Sequence, residues 1–246
     1  MDEVYTDRLR RRREEILSKM DAALSKSGRS FADVDMVAVS KTVGAPEVAA
    51  AIEVGFRRFG ENRPQELIRK LEALRGHPGF GHIGFDMIGN LQTNKVNAVL
   101  GRVGLIHSIS SLHLAEAVSA RAERRIGEGL LARPQDILLE VNVSGEETKS
   151  GFSVPELLDA MPRIKELCGI HPKGLMTMAP RGNKAIARKA FSDLRELRDR
   201  LVHDDPDLEL IELSCGMSED FEIALEEGST LVRLGRVVFD PAFAVE

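Results

Sequence analysis

The stretch Met36-Val37-Ala38-Val39-Ser40-Lys41 is the first unit of a pattern that repeats along the chain. Its first five residues form a short apolar run without alternation, which is typical of a parallel β-strand that is buried on both faces. Such β-rich runs alternate with helical segments from one end of the sequence to the other. We predict eight strands, over residues 36–40, 57–60, 86–88, 105–108, 137–143, 174–177, 208–213 and 231–234.

Alternating strands and helices predict an α/β fold with a parallel sheet and right-handed crossovers. Eight such units in 246 residues favour a closed (β/α)8 TIM barrel, which takes about 250 residues, although spacing alone does not exclude an open doubly wound sheet. We therefore expect one barrel domain over residues 1–246. Pro162 lies inside a predicted helix that Ser153 caps, and we expect a kink or a break there.

The composition is that of an ordinary globular protein, with 43% hydrophobic and 30% charged residues. A net charge of -5 argues against a general nucleic-acid-binding protein, whose surface is usually basic. The basic run Arg10–Arg13 is followed by acidic residues, and we interpret it as the solvated face of a first helix. Cys168 and Cys215 have no metal-like spacing. Because we recognise neither a signal peptide nor an apolar run that could span a bilayer, we expect no membrane partner and a cytoplasmic protein.

In a barrel of this kind, polar residues at the C-terminal ends of the strands are the candidates for function. Lys41 directly follows the first strand, so we expect its side chain to project from the rim toward the barrel mouth. A partly desolvated lysine amine can lose its proton and attack an aldehyde, which is how lysines form Schiff bases. The alternative is a solvated lysine that marks the end of a strand, and the pattern alone favours this alternative.

Two further candidate segments lie near the end of the chain. Leu213–Ser218 joins an apolar strand to a helix, and its small residues would let backbone N–H groups approach an anion. An ordinary turn with Ser218 as the helix N-cap is the alternative. Arg233 lies inside an apolar run, where an arginine is rarely buried without a partner, and a structural salt bridge explains it as well as a ligand contact. Gly235 would let the backbone come close to a bound group.

Amide side chains follow two other strands, in Phe59–Asn62 and in Ile88–Lys95. Both segments can place amides at the barrel mouth, although helix capping explains them equally well. The sequence contains no catalytic triad that we recognise, no nucleophile elbow, no P-loop and no His-Glu-x-x-His motif. His107 ends an apolar run, and we interpret it as a hydrogen-bonded structural histidine.

Taken together and in order, these segments resemble the pyridoxal phosphate homeostasis protein family, which is related to the N-terminal barrel domain of alanine racemase. The resemblance extends over roughly residues 34 to 239, and the ordered set of motifs is specific although each piece alone is weak. The matching segments are 38–42, 59–62 with 65–66, 88–89 with 91–92 and 94–95, 140–142, 149–152, 174–178, 213–214 with 216–218 and 220, and 228–230 with 232–233 and 235.

The resemblance implies that the cofactor pyridoxal 5′-phosphate (PLP) forms a Schiff base with Lys41. It also implies that an arginine faces the pyridine nitrogen, and Arg233 matches that arginine. A guanidinium keeps its proton at neutral pH, so the ring nitrogen beside it stays unprotonated and the ring is a poorer electron sink. The other matches are Ser214, Gly216, Met217 and Ser218 around the phosphate, Gly235 and Arg236 as backbone positions near the phosphate, and Asn62 lining the site.

Four positions depart from the family pattern. Asp86 stands where the family has histidine, Cys215 where it has methionine and Asp240 where it has glycine. Arg236 replaces a threonine, so one phosphate contact is lost unless the charge of Arg236 compensates for it.

The resemblance predicts a PLP carrier that is not primarily an enzyme, occurs as a monomer or weak dimer, and delivers PLP to apo-enzymes. The first alternative is a PLP-dependent amino-acid racemase. Racemases of the alanine type add a second, all-β domain and take a tyrosine base from a partner subunit, whereas we expect 246 residues to leave no room for that domain, and the only tyrosine is Tyr5. The second alternative is a barrel that binds another phosphate ester, with Lys41 as a plain phosphate-binding ammonium.

Overall fold

A computed structural model describes residues 3–146, 149–180 and 182–243. Eight parallel strands close into a barrel in the order in which they occur along the chain, so the predicted TIM barrel is confirmed. The strands are β1 (Asp35–Val39), β2 (Arg58–Glu61), β3 (Gly84–Met87), β4 (Leu105–Ile109), β5 (Gln135–Glu140), β6 (Ile170–Met176), β7 (Glu212–Ser214) and β8 (Leu231–Leu234).

Helices follow the strands and cover the outside of the barrel. The first helix precedes β1 and packs against the second, eighth and ninth helices, where the chain's two ends meet. Among the described helices, none is both long and apolar enough to cross a membrane. The helices are α1 (Glu3–Lys26), α2 (Ala45–Glu53), α3 (Pro64–Leu74), α4 (Val96–Val99), α5 (Leu112–Gly127), α6 (Val154–Lys165), α7 (Lys184–Asp204), α8 (Phe221–Glu226) and α9 (Arg236–Phe239), with short 3-10 helices at Phe31–Asp33, Phe80–His82 and Thr93–Lys95.

Two local predictions were wrong. The predicted strand over 208–213 begins only at Glu212, because the amide of Leu208 closes a turn onto the carbonyl of Asp205 and Ile211 is exposed to solvent. Helix α6 is not broken at Pro162 and continues to Lys165. The neighbouring Met161 and Ile164 are buried in the core, and this packing outweighs the local preference of proline.

The strands carry two distinct layers of side chains, one on each face of the closed sheet. Residues such as Ala38 and Phe59 face outward and join the large apolar cluster between the strands and the helices. A second, small cluster is formed by residues of four strands, including strands on opposite sides of the barrel, so these residues can meet only in the barrel interior. Its members are Leu105, Leu138, Met176 and Leu231.

Tight backbone packing positions the loops at the carboxyl ends of the strands. A Cβ atom on Gly89, just after β3, would lie 2.3 Å from the carbonyl oxygen of Asn62 and 2.5 Å from its Cα. Because these are backbone atoms, no side-chain rotation relieves the overlap. Gly89 therefore fixes the distance between the loops that follow β2 and β3.

We predict that Gly89→Ala lowers the free energy of unfolding by about 1–3 kcal/mol, because the backbone at Asn62 has to move. The matched control is Gly84→Ala at the start of the same strand, where an added Cβ meets no atom within 4 Å. The control should change stability by less than about 0.5 kcal/mol. Urea denaturation of both variants measures the difference, and equal stabilities would contradict the assignment.

Candidate functional site

The residues that the sequence predicted for the site lie on four neighbouring strands of the barrel. Strand β1 pairs with β2 on one side and with β8 on the other, and β8 pairs with β7. Because all the strands are parallel, the segments that follow them meet at one rim. The four segments carry Lys41 and Asn62 on one side, and residues 214–218 and 233–236 on the other. They therefore form one continuous arc of the rim.

Lys41 lies in the turn directly after β1. Val37 and Val39 face the barrel interior and Ala38 faces outward, and Lys41 follows two residues after Val39, at the carboxyl end of the strand. The side chain of Lys41 is exposed rather than partly desolvated, because the turn lifts it beyond the end of the strand. Within the described residues, its amine forms neither a hydrogen bond nor an ion pair. A free primary amine thus stands at the barrel mouth.

A buried ion pair anchors the turn that carries Lys41. The ammonium of Lys70, on α3, contacts the carboxylate of Glu61 and donates to the carbonyl of Ser40 at 2.6 Å. The hydroxyl of Ser40 donates to Glu61 at 2.7 Å. Lys70 and Glu61 are only 4% and 1% exposed. Sequence analysis missed this pair, since nothing in the sequence shows that α3 carries its lysine back to the end of β1.

The loop after β7 is shaped by Gly216. Its φ of +90° lies in the left-handed region, and a Cβ there would come within 2.5 Å of the Ala224 Cβ. The amide of Met217 donates to the carboxylate of Asp220 at 2.6 Å, and Asp220 is the N-cap residue of α8. The alternative explanation, in which Ser218 caps this helix, is therefore wrong. Instead, the hydroxyl of Ser218 accepts from the amide of Val237 at 3.1 Å and joins the loop to α9.

The loops after β7 and β8 leave a group of backbone donors free. Five amide N–H groups on these two loops donate to no residue in the described ranges. They belong to Gly216, Ser218, Glu219, Gly235 and Arg236. Converging backbone N–H groups of this kind favour an anion, and the loops after strands 7 and 8 are where TIM barrels commonly bind phosphate.

Arg233 projects into the barrel interior and is only 4% exposed. One of its terminal nitrogens donates to the carbonyl and hydroxyl of Ser214, and the other donates to the carbonyl of Thr177 at 2.9 Å. It makes no ion pair with any described carboxylate, so the salt-bridge explanation is wrong for the described chain. Burial lowers the pKa of Arg233 below its ordinary value, yet an arginine remains charged at neutral pH. The remaining N–H donors are available to a ligand.

Two departures from the family pattern have clear structural settings. The guanidinium of Arg236 pairs with Glu219 at 2.5 Å and lies 5.1 Å from the centre of the Phe243 ring, so its charge is already engaged. Cys215 is buried behind the loop, and burial raises the pKa of its thiol to about 11. Cys215 therefore packs in the apolar core as an uncharged thiol.

Asn62 lies in the loop after β2, and its side chain forms no hydrogen bond with a described residue. The helix that follows has Arg63 as its N-cap residue. Asn62 is therefore not a capping residue, and its side-chain amide is free to bind a ligand.

Glu140 is a buried carboxylate that sequence analysis did not single out. It ends β5, on the opposite side of the barrel from β1, and is 3% exposed. Burial raises the pKa of Glu140 above its ordinary value. The hydrogen bond from Ser150 and the charge of Arg233 lower this pKa, but they do not cancel the effect of burial. The sequence did contain a signal for Glu140, because it is a carboxylate inside the apolar run 137–143. A charged residue in such a run is rarely buried without a partner, which is the reasoning that singled out Arg233.

Comparisons with known proteins agree with this geometry. Residues 17–241 match the model of the family described as alanine racemase, N-terminal domain. The pyridoxal phosphate homeostasis protein of Aquifex aeolicus is 38% identical over 225 residues, which cover 91% of this chain and 94% of that protein. The chain belongs to the pyridoxal phosphate homeostasis protein family. The sequence-based resemblance is thereby confirmed.

Two solved structures resemble the chain over most of its length. A protein from Bifidobacterium adolescentis has a TM-score of 0.89 and 36% identity, with 97% of both chains covered. PipY of Synechococcus elongatus, solved with PLP bound, has a TM-score of 0.76 and 33% identity, and covers 84% of this chain and 92% of its own.

We predict that Lys70→Met lowers the free energy of unfolding by about 3–5 kcal/mol, because it leaves the buried carboxylate of Glu61 without a partner. The Glu61→Gln/Lys70→Met double variant removes both charges and should recover a large part of this loss. Lys189→Met, which breaks the exposed pair with Asp193, is the control and should leave stability unchanged. Denaturant unfolding measures all three variants. A Lys70→Met protein as stable as the control would refute the anchoring role.

Proposed function

We propose that this protein binds PLP at the barrel rim and acts in PLP homeostasis as a carrier of the cofactor. The observation that carries the proposal is the buried guanidinium of Arg233, which has free donors and no carboxylate partner among the described residues. Membership of the pyridoxal phosphate homeostasis family and the PLP-bound relative from Synechococcus support the same function.

The rim offers a matching group for each part of PLP. The free amides of residues 216, 218, 235 and 236 would hold the phosphate, while the side chain of Ser214 keeps the Arg233 guanidinium in place. Arg233 would donate a hydrogen bond to the ring nitrogen, and Asn62 would line the ring. Met217 would shape the phosphate loop, because its amide is already bound to Asp220.

In this proposal, PLP is attached covalently to the amine of Lys41. PLP supplies a reactive aldehyde when it is bound, and the amine of Lys41 is the free primary amine on this arc of the rim. The exposure of Lys41 suits a carrier, since a recipient apo-enzyme can approach the rim directly. We extend the proposal to delivery of PLP to apo-enzymes in the cytoplasm by a monomer or weak dimer.

The electrostatics of Arg233 suit a protein that carries PLP better than one that uses the ring as a strong electron sink. A guanidinium that holds its proton leaves the ring nitrogen unprotonated, and this weakens the ring as an electron sink. Tyr5 does not line the interior of its own barrel. It lies on α1 and packs against the apolar layer outside the barrel, with the Arg8 guanidinium 4.6 Å from its ring centre.

We predict that borohydride reduction of the PLP-loaded protein attaches the cofactor covalently to Lys41, as shown by peptide mass spectrometry. Lys41→Ala should lose both this adduct and the visible absorbance of bound PLP. Lys173→Ala, at the amino end of the barrel where Lys173 pairs with Glu209, is the matched control and should retain both.

Three results would contradict the proposal. A Lys41→Ala protein with an unchanged visible band would remove the attachment site. Robust alanine racemisation that depends on Lys41 would establish the racemase, and binding of sugar phosphates without any binding of PLP would establish the other phosphate-ester function.

A further inference from the structure

A string of polar side chains crosses the barrel interior beneath the rim. It starts at Arg58 of β2, whose Nε donates to Oδ2 of Asp86 at 2.6 Å. The same carboxylate oxygen lies 3.2 Å from Nε2 of His107, and Nδ1 of His107 lies 2.9 Å from the hydroxyl of Ser214. That hydroxyl also accepts from the guanidinium of Arg233. The string therefore joins strands β2, β3, β4, β7 and β8 in one continuous path.

The part of the string from Asp86 to Arg233 is shielded from water. His107 and Ser214 are fully buried, and Asp86 and Arg233 are 2% and 4% exposed, whereas the side chain of Arg58 at the outer end is 24% exposed. The hydrogen bonds from Asp86 to Arg233 therefore lack competition from solvent, so the donor or acceptor role of one group determines that of the next. The prediction of a hydrogen-bonded structural histidine at position 107 is confirmed by these contacts.

The charge states along the path are set by burial and by the neighbours. Burial alone would raise the pKa of Asp86, but the hydrogen bonds and charges of His107 and Arg58 outweigh it and hold the pKa below its ordinary value. For His107, burial lowers the pKa, and Asp86 opposes this shift only in part. At neutral pH the path thus contains an ionised Asp86 and an uncharged His107.

These charge states permit a single arrangement of protons. An ionised carboxylate can only accept, so Nε2 of His107 carries the proton that it donates to Asp86. Nδ1 is then unprotonated and can only accept, so the hydroxyl of Ser214 donates to it. The lone pairs of that hydroxyl are left to accept from Arg233. Every hydrogen bond from Arg233 to Asp86 has a fixed direction.

We propose that Asp86 and His107 are positioning residues for the cofactor ring. Through Ser214 they hold the guanidinium of Arg233 in one orientation, with its free donors directed toward the rim. This inference rests on the proposed PLP site, but the proton arrangement exists in the protein without cofactor. With an uncharged side chain at position 86, His107 can adopt either tautomer. When Nδ1 of His107 carries the proton, the hydroxyl of Ser214 accepts from both His107 and Arg233, and His107 no longer fixes the direction of the hydroxyl proton.

Asp86→Asn is the informative variant because it removes the charge at nearly constant shape. Arg58 keeps an ionic partner in this variant, since it also pairs with Asp35 at 3.0 Å. Asp35→Asn is the matched control, because it removes the outer partner of Arg58 without touching His107. Denaturant unfolding identifies a variant that fails to fold, and Ser214→Ala then serves as the second variant that interrupts the path.

The first measurement is the nitrogen-15 NMR spectrum of His107 in the cofactor-free protein. We expect the uncharged tautomer with the proton on Nε2 in the unaltered protein and in Asp35→Asn, and a mixture of tautomers in Asp86→Asn. A proton on Nδ1 in the unaltered protein, or an identical spectrum in Asp86→Asn, would overturn the proposal even if the chain bound no PLP.

The second measurement is PLP affinity by titration, with the ring nitrogen of nitrogen-15-labelled PLP as a spectroscopic reporter. Asp86→Asn and Ser214→Ala should each bind PLP about tenfold more weakly, the effect of losing one well-oriented charged hydrogen bond. Their ring-nitrogen signals should move away from that of the unaltered protein, while Asp35→Asn should match it. Unchanged affinity and signal in both variants would overturn the positioning role and leave the proposed function intact.

Discussion

A buried cation that forms no direct ion pair within the described residues is the constraint on which the site depends. Removing a charge from water is costly unless hydrogen bonds replace the lost hydration. Arg233 meets this requirement only in part, through two backbone carbonyls and the hydroxyl of Ser214. The barrel therefore keeps an incompletely satisfied guanidinium directly below its rim. Such a group stabilises a bound acceptor more strongly than one that already has an ionic partner.

The rest of the barrel is arranged around that cation. The small apolar cluster fills part of the interior, and the polar path from Arg58 to Ser214 contacts the guanidinium through the hydroxyl of Ser214. The buried pair of Lys70 and Glu61 fixes the turn that carries Lys41 on the neighbouring strand. Packing thus supplies rigidity at two points of the rim, while the amine of Lys41 and the free backbone amides remain available for chemistry.

The sequence predicted the barrel because buried parallel strands leave apolar runs that local pattern can detect. It failed at Leu208 and Pro162, where local preference was outweighed by a turn and by helix packing. Most of the rim positions followed from motif order, but the contacts that give them their properties did not. The missing salt bridge of Arg233 and the ion pair of Lys70 depend on which side chains of distant elements meet, and no local pattern contains that information.

A crystal structure of the PLP complex tests the central claim most directly. The account predicts that the pyridine nitrogen lies within hydrogen-bond distance of the Arg233 guanidinium, with the phosphate on the amides of the loops after β7 and β8. A cofactor whose ring nitrogen faces a carboxylate or solvent, with Arg233 still bound only to Ser214 and Thr177, would contradict it.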